Sequence, residues 1–124
     1  MPASLLFVDD EAPIRELLSL FFRKKGIEVA TATAGKEALS LLQRRSFDAA
    51  IVDLNLAGEN GLELLKHFKR EHPKMPVIIF TGMTGDEQLV TQSLAAGADA
   101  FMRKAEPLGT LYDEVKKHLA KPSI

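Results

Sequence analysis

Two adjacent carboxylates, Asp9 and Asp10, follow the apolar run Leu5-Leu6-Phe7-Val8, and a third, Asp53, follows a second run, Ala49-Ala50-Ile51-Val52. If both runs are buried parallel strands, the three acids converge at one edge of a sheet. Their mutual repulsion there favours a divalent cation held by oxygen ligands, with Mg²⁺ keeping several of its waters. Thr81 ends a further run, Val77-Ile78-Ile79-Phe80, and Lys104 closes the region that follows a fifth. Taken singly, an Asp after a strand is commonly a helix N-cap, a Thr a turn residue and a Lys a solvated surface group. Three carboxylates, a hydroxyl and an ammonium at corresponding ends of buried strands are hard to ascribe to capping. A phosphoryl group could take one of the cation's water positions, which makes this a candidate phosphoryl-transfer site.

The elements that must position these groups alternate along the chain. Strand-like runs at 5–8, 27–31, 49–52, 77–80 and 99–102 are separated by segments whose apolar residues return every three or four positions. The first helical segment carries Ile14, Leu17, Leu18, Phe21 and Phe22 as one stripe expected to cover the sheet, and Gly26 follows as a C-cap. Ala38, Leu41 and Leu42 mark the second helix, and Leu62, Leu65 and Phe68 the third. Leu89, Val90 and Leu94 mark the fourth, closed by Gly97. A fifth is expected to start at Pro107 and to bury Leu108, Leu111, Val115 and Leu119. Strands apolar on both faces imply a parallel sheet covered by helices on both sides. Ligands then belong outside the carboxyl ends of the strands.

With 124 residues and 46% hydrophobic content, the chain is expected to form one domain with its own core, about 4–120, and 121–124 as a tail or linker stub. Absence of cysteine excludes disulfides and thiolate metal sites and is compatible with a reducing compartment, so cytoplasm is the expected location. No apolar run is long enough to span a bilayer. Sixteen basic and 17 acidic residues leave a formal charge of −1, so no global field favours nucleic acid or an anionic membrane. Arg23-Lys24-Lys25 and Arg44-Arg45 fall at expected helix C-termini, where cations complement the dipole.

From Leu5 to about Leu119, with the acidic pair, central Asp, Thr and Lys in order, the chain resembles the receiver domain of two-component response regulators, the family of the bacterial chemotaxis regulator. The resemblance implies a flavodoxin-like α/β fold, a single doubly wound five-stranded parallel sheet of order 2-1-3-4-5 with five helices. It implies that Asp53 accepts a phosphoryl group from a sensor histidine kinase or phosphotransfer protein. Asp10, Asp53 and the backbone carbonyl of Asn55 would bind Mg²⁺, for which Mn²⁺ can substitute, with Asp9 acting largely through water. Lys104 would neutralise one phosphate oxygen, Thr81 would hydrogen-bond another, and the Gly82 N–H would allow close approach of the anion. Thr81 and Phe101 would form a switch that reshapes the face of helix 4, strand 5 and helix 5 for a downstream protein or output domain. The expected product is a phosphoprotein that promotes its own dephosphorylation, not a turnover enzyme, acting as a monomer or phosphorylation-dependent dimer without direct contact to nucleic acid or membrane.

Several positions depart from the family pattern. The Lys is usually followed by Pro across a cis bond, whereas here it is followed by Ala105. A cis non-proline bond costs about 2.5–4 kcal/mol against roughly 0.5–1 for X–Pro, which favours trans Lys104-Ala105. Ala57 replaces the usual loop Pro, widening the conformations open to the acceptor loop. Met83 and Asn55 stand where receivers tune hydrolysis, and an apolar Met cannot orient the attacking water, so slow self-dephosphorylation is expected. Gly61 matches a family loop glycine but would suit any helix entry. His67, His72 and His118 lie on helical segments away from the acids and are expected at the surface, not as zinc ligands or phosphorelay residues.

Three other functions fit parts of the pattern. A haloacid-dehalogenase-like Mg²⁺-dependent phosphatase wants an acid two positions beyond the nucleophile, where Asn55 stands, and a larger chain. A flavodoxin shares the fold, but Asp9-Asp10-Glu11 would repel phosphate from its first loop. A receiver-like adaptor that works without phosphorylation is separated only by a phosphorylation assay.

Overall fold

The computed structural model describes residues 3–56, 59–82 and 87–119, with the backbone alone described for Asn55 and Glu59. Five parallel strands form its main sheet: β1 (Ser4–Val8), β2 (Glu28–Ala32), β3 (Ala49–Val52), β4 (Val77–Thr81) and β5 (Ala100–Arg103), in the order β2-β1-β3-β4-β5. The helices are α1 (Ala12–Lys24), α2 (Gly35–Arg44), α3 (Gly61–Glu71), α4 (Glu87–Ala95) and α5 (Leu108–Leu119). Asn55–Leu56 and Glu59–Asn60 add a short antiparallel ladder beside the sheet. The expected 27–31 and 99–102 runs each lie one residue later as strands, and the last helix begins one residue after Pro107, whose carbonyl accepts from Thr110 N–H at 3.0 Å.

The sheet is apolar on both faces because alternate residues feed two cores. Leu6, Val8, Ala50, Val52, Val77 and Ile79 face α2 and α3 through Ala38, Leu42, Leu65 and Phe68. Leu5, Phe7, Ile51, Ile78 and Phe80 face α1 and α5 through Leu18, Phe22, Leu111 and Val115. Each fully buried Leu or Phe stabilises the fold by roughly 1.5–3 kcal/mol relative to exposure. Two helices end where sequence places a glycine. Gly26 takes φ +80 and Gly97 φ +108, and the next residue's N–H reaches back to a helix carbonyl, Ile27 to Phe22 at 3.1 Å and Ala98 to Ser93 at 3.0 Å.

The helical stripes are narrower than periodicity suggests. Leu17 is half-exposed, because the line Ile14, Leu18, Phe22 meets the sheet and Phe21 turns aside to stack edge-on with Tyr112 of α5. On α4 the buried residue is Ser93, and Leu94 is half-exposed, so the inward line runs through Leu89 and Ser93 to Ala96 just past the helix end. The histidines are only partly at the surface: His67 and His72 are half-buried, and the His118 side chain retains 11% exposure, with Nε2 3.7 Å from Glu114. Residues 121–124, Ala57 and Met83 fall outside the described residues.

Candidate functional site

One more rung of the parallel ladders seats each chemical group. Asp9 N–H donates to Ala32 O at 3.1 Å, continuing β1 against β2, and Asp53 N–H donates to Val8 O at 3.0 Å, continuing β3 against β1. Lys104 N–H donates to Thr81 O at 2.9 Å, continuing β5 against β4. Since the backbone of each residue is pinned by its neighbour strand, the side chains inherit the sheet's geometry. Asp9 and Thr81 are fully buried and Asp53 is 2% exposed, an arrangement that apolar strand ends impose on polar residues only where something offsets the desolvation.

The offset is the Lys104 ammonium. It lies 2.8 Å from Asp9, 2.8 Å from Glu11 and 2.9 Å from Asp53, and its own side chain is only 13% exposed. Burial by itself would lower the Lys104 pKa, but the three carboxylates of Asp9, Glu11 and Asp53 against the ammonium overcome it and hold the lysine above its usual range. At Asp9 burial wins instead. Its burial raises the carboxyl above the usual aspartate value, the nearby Asp53 charge adding to this and Lys104 with the Glu11 N–H only partly countering it. Asp9 Oδ1 accepts the Glu11 N–H at 2.9 Å, while Asp9 Oδ2, in ion-pair contact with Lys104, has no partner in hydrogen-bond geometry.

Asp9, Asp10, Glu11 and Asp53 each bring a carboxylate oxygen to within 4.8 Å of the others. That donor set is all hard oxygen, with a buried lone pair on Asp9 Oδ2 left over, which suits Mg²⁺ or Mn²⁺ and gives no foothold to metals that prefer sulfur or imidazole.

The loop after Asp53 is held by backbone packing. Gly61 N–H donates to Leu54 O at 3.2 Å, and a Cβ on Gly61 would lie 2.4 Å from Leu54 Cα and 2.7 Å from Asp53 O. Only glycine lets α3 start this close to the acceptor strand. Asn60 completes the entry by accepting the Leu62 N–H at 2.9 Å on its side chain, an N-cap.

A match to the response regulator receiver domain family spans residues 5–116. The chain belongs to that family. It is 37% identical over 110 residues to the response regulator protein PilR of Pseudomonas aeruginosa, covering 89% of this chain and 24% of that one. It is 35% identical over 100 residues to the response regulator SaeR of Staphylococcus aureus, covering 81% of this chain and 43% of that one. The crystal structure of a CheY-like receiver domain protein from Methanospirillum hungatei superposes with a TM-score of 0.90 at 29% identity, covering 96% of this chain and 94% of that one. The chain thus spans 24% and 43% of the length of these two curated relatives.

A receiver is a phosphorylation-accepting signalling domain and not a classical metabolic enzyme, and receivers bind Mg²⁺ at an acidic cluster such as Asp9, Asp10, Glu11 and Asp53 form here. Among the residues singled out from sequence, the fold brings Asp9, Asp10, Asp53 and Lys104 together, and Thr81 lies on the strand whose last carbonyl fixes Lys104. Asn55 begins the short ladder two residues past Asp53. Phe101 is half-buried, paired with Ile79 across β4 and β5 and packed on the α2–α3 core. Gly82 is exposed, and a Cβ there would make ordinary contact with Lys104 Cδ at 3.8 Å, so space alone does not require glycine. Lys104–Ala105 is trans, as no described peptide bond is cis.

Two participants escaped the sequence reading. Glu11 reaches Lys104 from the far side of the chain, and Arg15 Nη1 donates to the Asp9 backbone O at 2.7 Å, tying the first loop to α1. The unbroken acidic row Asp9-Asp10-Glu11 was the available signal for Glu11. Nothing in local sequence marks Arg15. No described helix is long and apolar enough to cross a membrane.

Proposed function

We propose that Asp53 is the phosphoacceptor of this receiver, with Lys104 and Thr81 serving the transferred group and Asp10, Asp53 and the Asn55 carbonyl holding Mg²⁺, Asp9 acting through water. The observation that carries the reading is the Lys104 ammonium seated 2.9 Å from the buried Asp53 carboxylate and 2.8 Å from Asp9. Transfer breaks the P–N bond of a phosphohistidine, whose electron pair returns to the imidazole, and forms a P–O bond to Asp53. Mg²⁺, when bound, neutralises charge on the phosphoryl oxygens. Since such a transition state is stabilised chiefly by positioned charge, the protein needs a held carboxylate and a nearby cation more than a strong nucleophile. Lys104 supplies the protein's cation, and the buried Thr81 hydroxyl and the Gly82 N–H serve the remaining oxygens. Phe101 then responds to Thr81, altering the face of α4, β5 and α5 that an output partner reads.

Incubation with Mg²⁺ and acetyl phosphate or phosphoramidate tests this reading. The expected result is a mass gain of one phosphoryl group that Asp53→Asn abolishes. Persistent failure to gain mass, with the fold intact, leaves the phosphorylation-independent adaptor in its place. The apolar Met83 supports a long-lived phosphoform, which Met83→Glu shortens if water orientation limits hydrolysis.

A further inference from the structure

Glu11 occupies the N-cap position of α1 in an extended conformation, yet its side chain makes no capping bond. Glutamate is a poor N-cap in any case, because Ser, Thr, Asp and Asn reach the helix N–H groups better. Its carboxylate instead crosses the site to Lys104 at 2.8 Å while remaining 58% exposed. An ammonium has three donors; this one donates to Glu11 at 2.8 Å and Asp53 at 2.9 Å, and Asp9 crowds its remaining side in ion-pair contact at 2.8 Å. A phosphoryl oxygen arriving on Asp53 must take one of these donors. Asp9 and Asp53 are buried and pinned by backbone, so the partner that can yield is Glu11.

We propose that Glu11 is a positioning residue that sets donor specificity: it holds the Lys104 donor an incoming phosphoryl oxygen needs, and so disfavours small, freely diffusing anionic phosphodonors. A docked protein donor can offset the displacement with binding energy from its remote contacts, whereas a small acyl phosphate brings only its own charge. The inference rests on Asp53 being the acceptor. In the assay acetyl phosphate breaks its P–O bond, acetate leaves with the electron pair, and the new P–O bond forms on Asp53.

The experiment compares wild type, Glu11→Gln, Glu11→Ala and Glu11→Asp, each at Mg²⁺ where doubling the concentration changes no rate. With acetyl phosphate at low salt, Glu11→Gln and Glu11→Ala are expected to load about fivefold faster than wild type, from removal of one repelling charge and release of one lysine donor. The gain shrinks in high salt and is smaller with the less charged phosphoramidate, while Glu11→Asp stays within about twofold of wild type. Rates unchanged or slowed in both neutral variants overturn the inference, and so does a gain that persists undiminished in high salt, as a merely loosened loop would give. Failure of the acceptor assignment looks different: wild type and variants alike gain no phosphoryl group, or gain it with Asp53→Asn in place, and the inference falls with it.

Discussion

Aspartates stand at both ends of the receiver's sheet, and the two ends use them in opposite ways. Just before β3 and β5, Asp48 and Asp99 each exchange hydrogen bonds with the first residue of the neighbouring strand. Ser4 N–H donates to Asp48 Oδ2 at 2.8 Å, and Asp48 N–H returns to Ser4 O at 2.9 Å. Val77 N–H donates to Asp99 Oδ2 at 2.8 Å, and Asp99 N–H returns to Val77 O at 2.8 Å. Lys69 adds a bond to Asp99 at 3.1 Å and another to Met75 O at 2.9 Å. Just after β1 and β3 a strand that is ending exposes carbonyls, which cannot donate to a carboxylate. The backbone N–H that Asp9 accepts comes from Glu11 in its own loop, and the charges of Asp9 and Asp53 collect around one lysine, 2.8 and 2.9 Å away. The same residue type closes the fold at one end of the sheet and concentrates unspent charge at the other.

The largest expected break in that contrast comes from Lys104→Met. Removing the ammonium leaves Asp9 and Asp53 buried without their cation, and at pH 7 in EDTA the variant is expected to lose about 3–5 kcal/mol of stability in urea unfolding. Adding Mg²⁺ recovers part of the loss, because the acids then have a cation again. A variant as stable as wild type in EDTA would mean that the lysine offsets little of the acids' burial.

Sequence carried the fold and the acidic half of the site for one physical reason, and missed other parts for another. Strands apolar on both faces and helices of fixed period are local signals, so β1 to β5 and the acids after Val8 and Val52 could be placed from the residues around them. Which residue of a helix stripe meets the sheet depends on how the helix is rolled against its neighbours. Leu17 therefore joined the expected core and lies half-exposed, whereas Ser93, polar and unremarked, is wholly buried. Contacts between distant segments were equally invisible: Glu11 and Lys104 are 93 residues apart, and Gly61 owes its identity to the Asp53–Leu54 backbone pressed against it.

Gly61→Ala sharpens the comparison by disturbing the carboxyl end without touching a charge. With Leu54 Cα 2.4 Å from the added methyl, α3 or the acceptor loop must shift, which is expected to cost about 2–3 kcal/mol and to slow phosphoryl uptake as Asp53 moves. Asp99→Ala makes the matching change at the other end. It leaves the Val77 N–H and the Lys69 ammonium without their carboxylate and is expected to cost about 1–2 kcal/mol, with the acetyl phosphate loading rate unchanged. Thermal or urea unfolding reads both costs, and a loading defect in Asp99→Ala as deep as that in Gly61→Ala would show the two ends to be coupled.

The smallest effect is one of pH. The folded protein raises the Asp9 carboxyl above its unfolded value, chiefly by burial, so between those two values the folded state binds a proton that the unfolded state has released. Ionised Asp9 therefore disfavours folding, and acidification from neutral pH through the raised value relieves that penalty, opposite in sign to an aspartate stabilised by its partners. For Lys104 the shift is also upward, and its contribution is stabilising: fully present below the ordinary lysine value and lost only as pH rises through the higher folded one. Asp9→Asn in EDTA is accordingly expected to melt a few degrees above wild type at pH 7, with the difference narrowing as the pH is lowered towards the ordinary aspartate range. If the variant instead melts lower at pH 7, the bond that Asp9 accepts from Glu11 and its contact with Lys104 outweigh the burial of its charge, and the carboxyl end of the sheet is better satisfied than its crowding suggests.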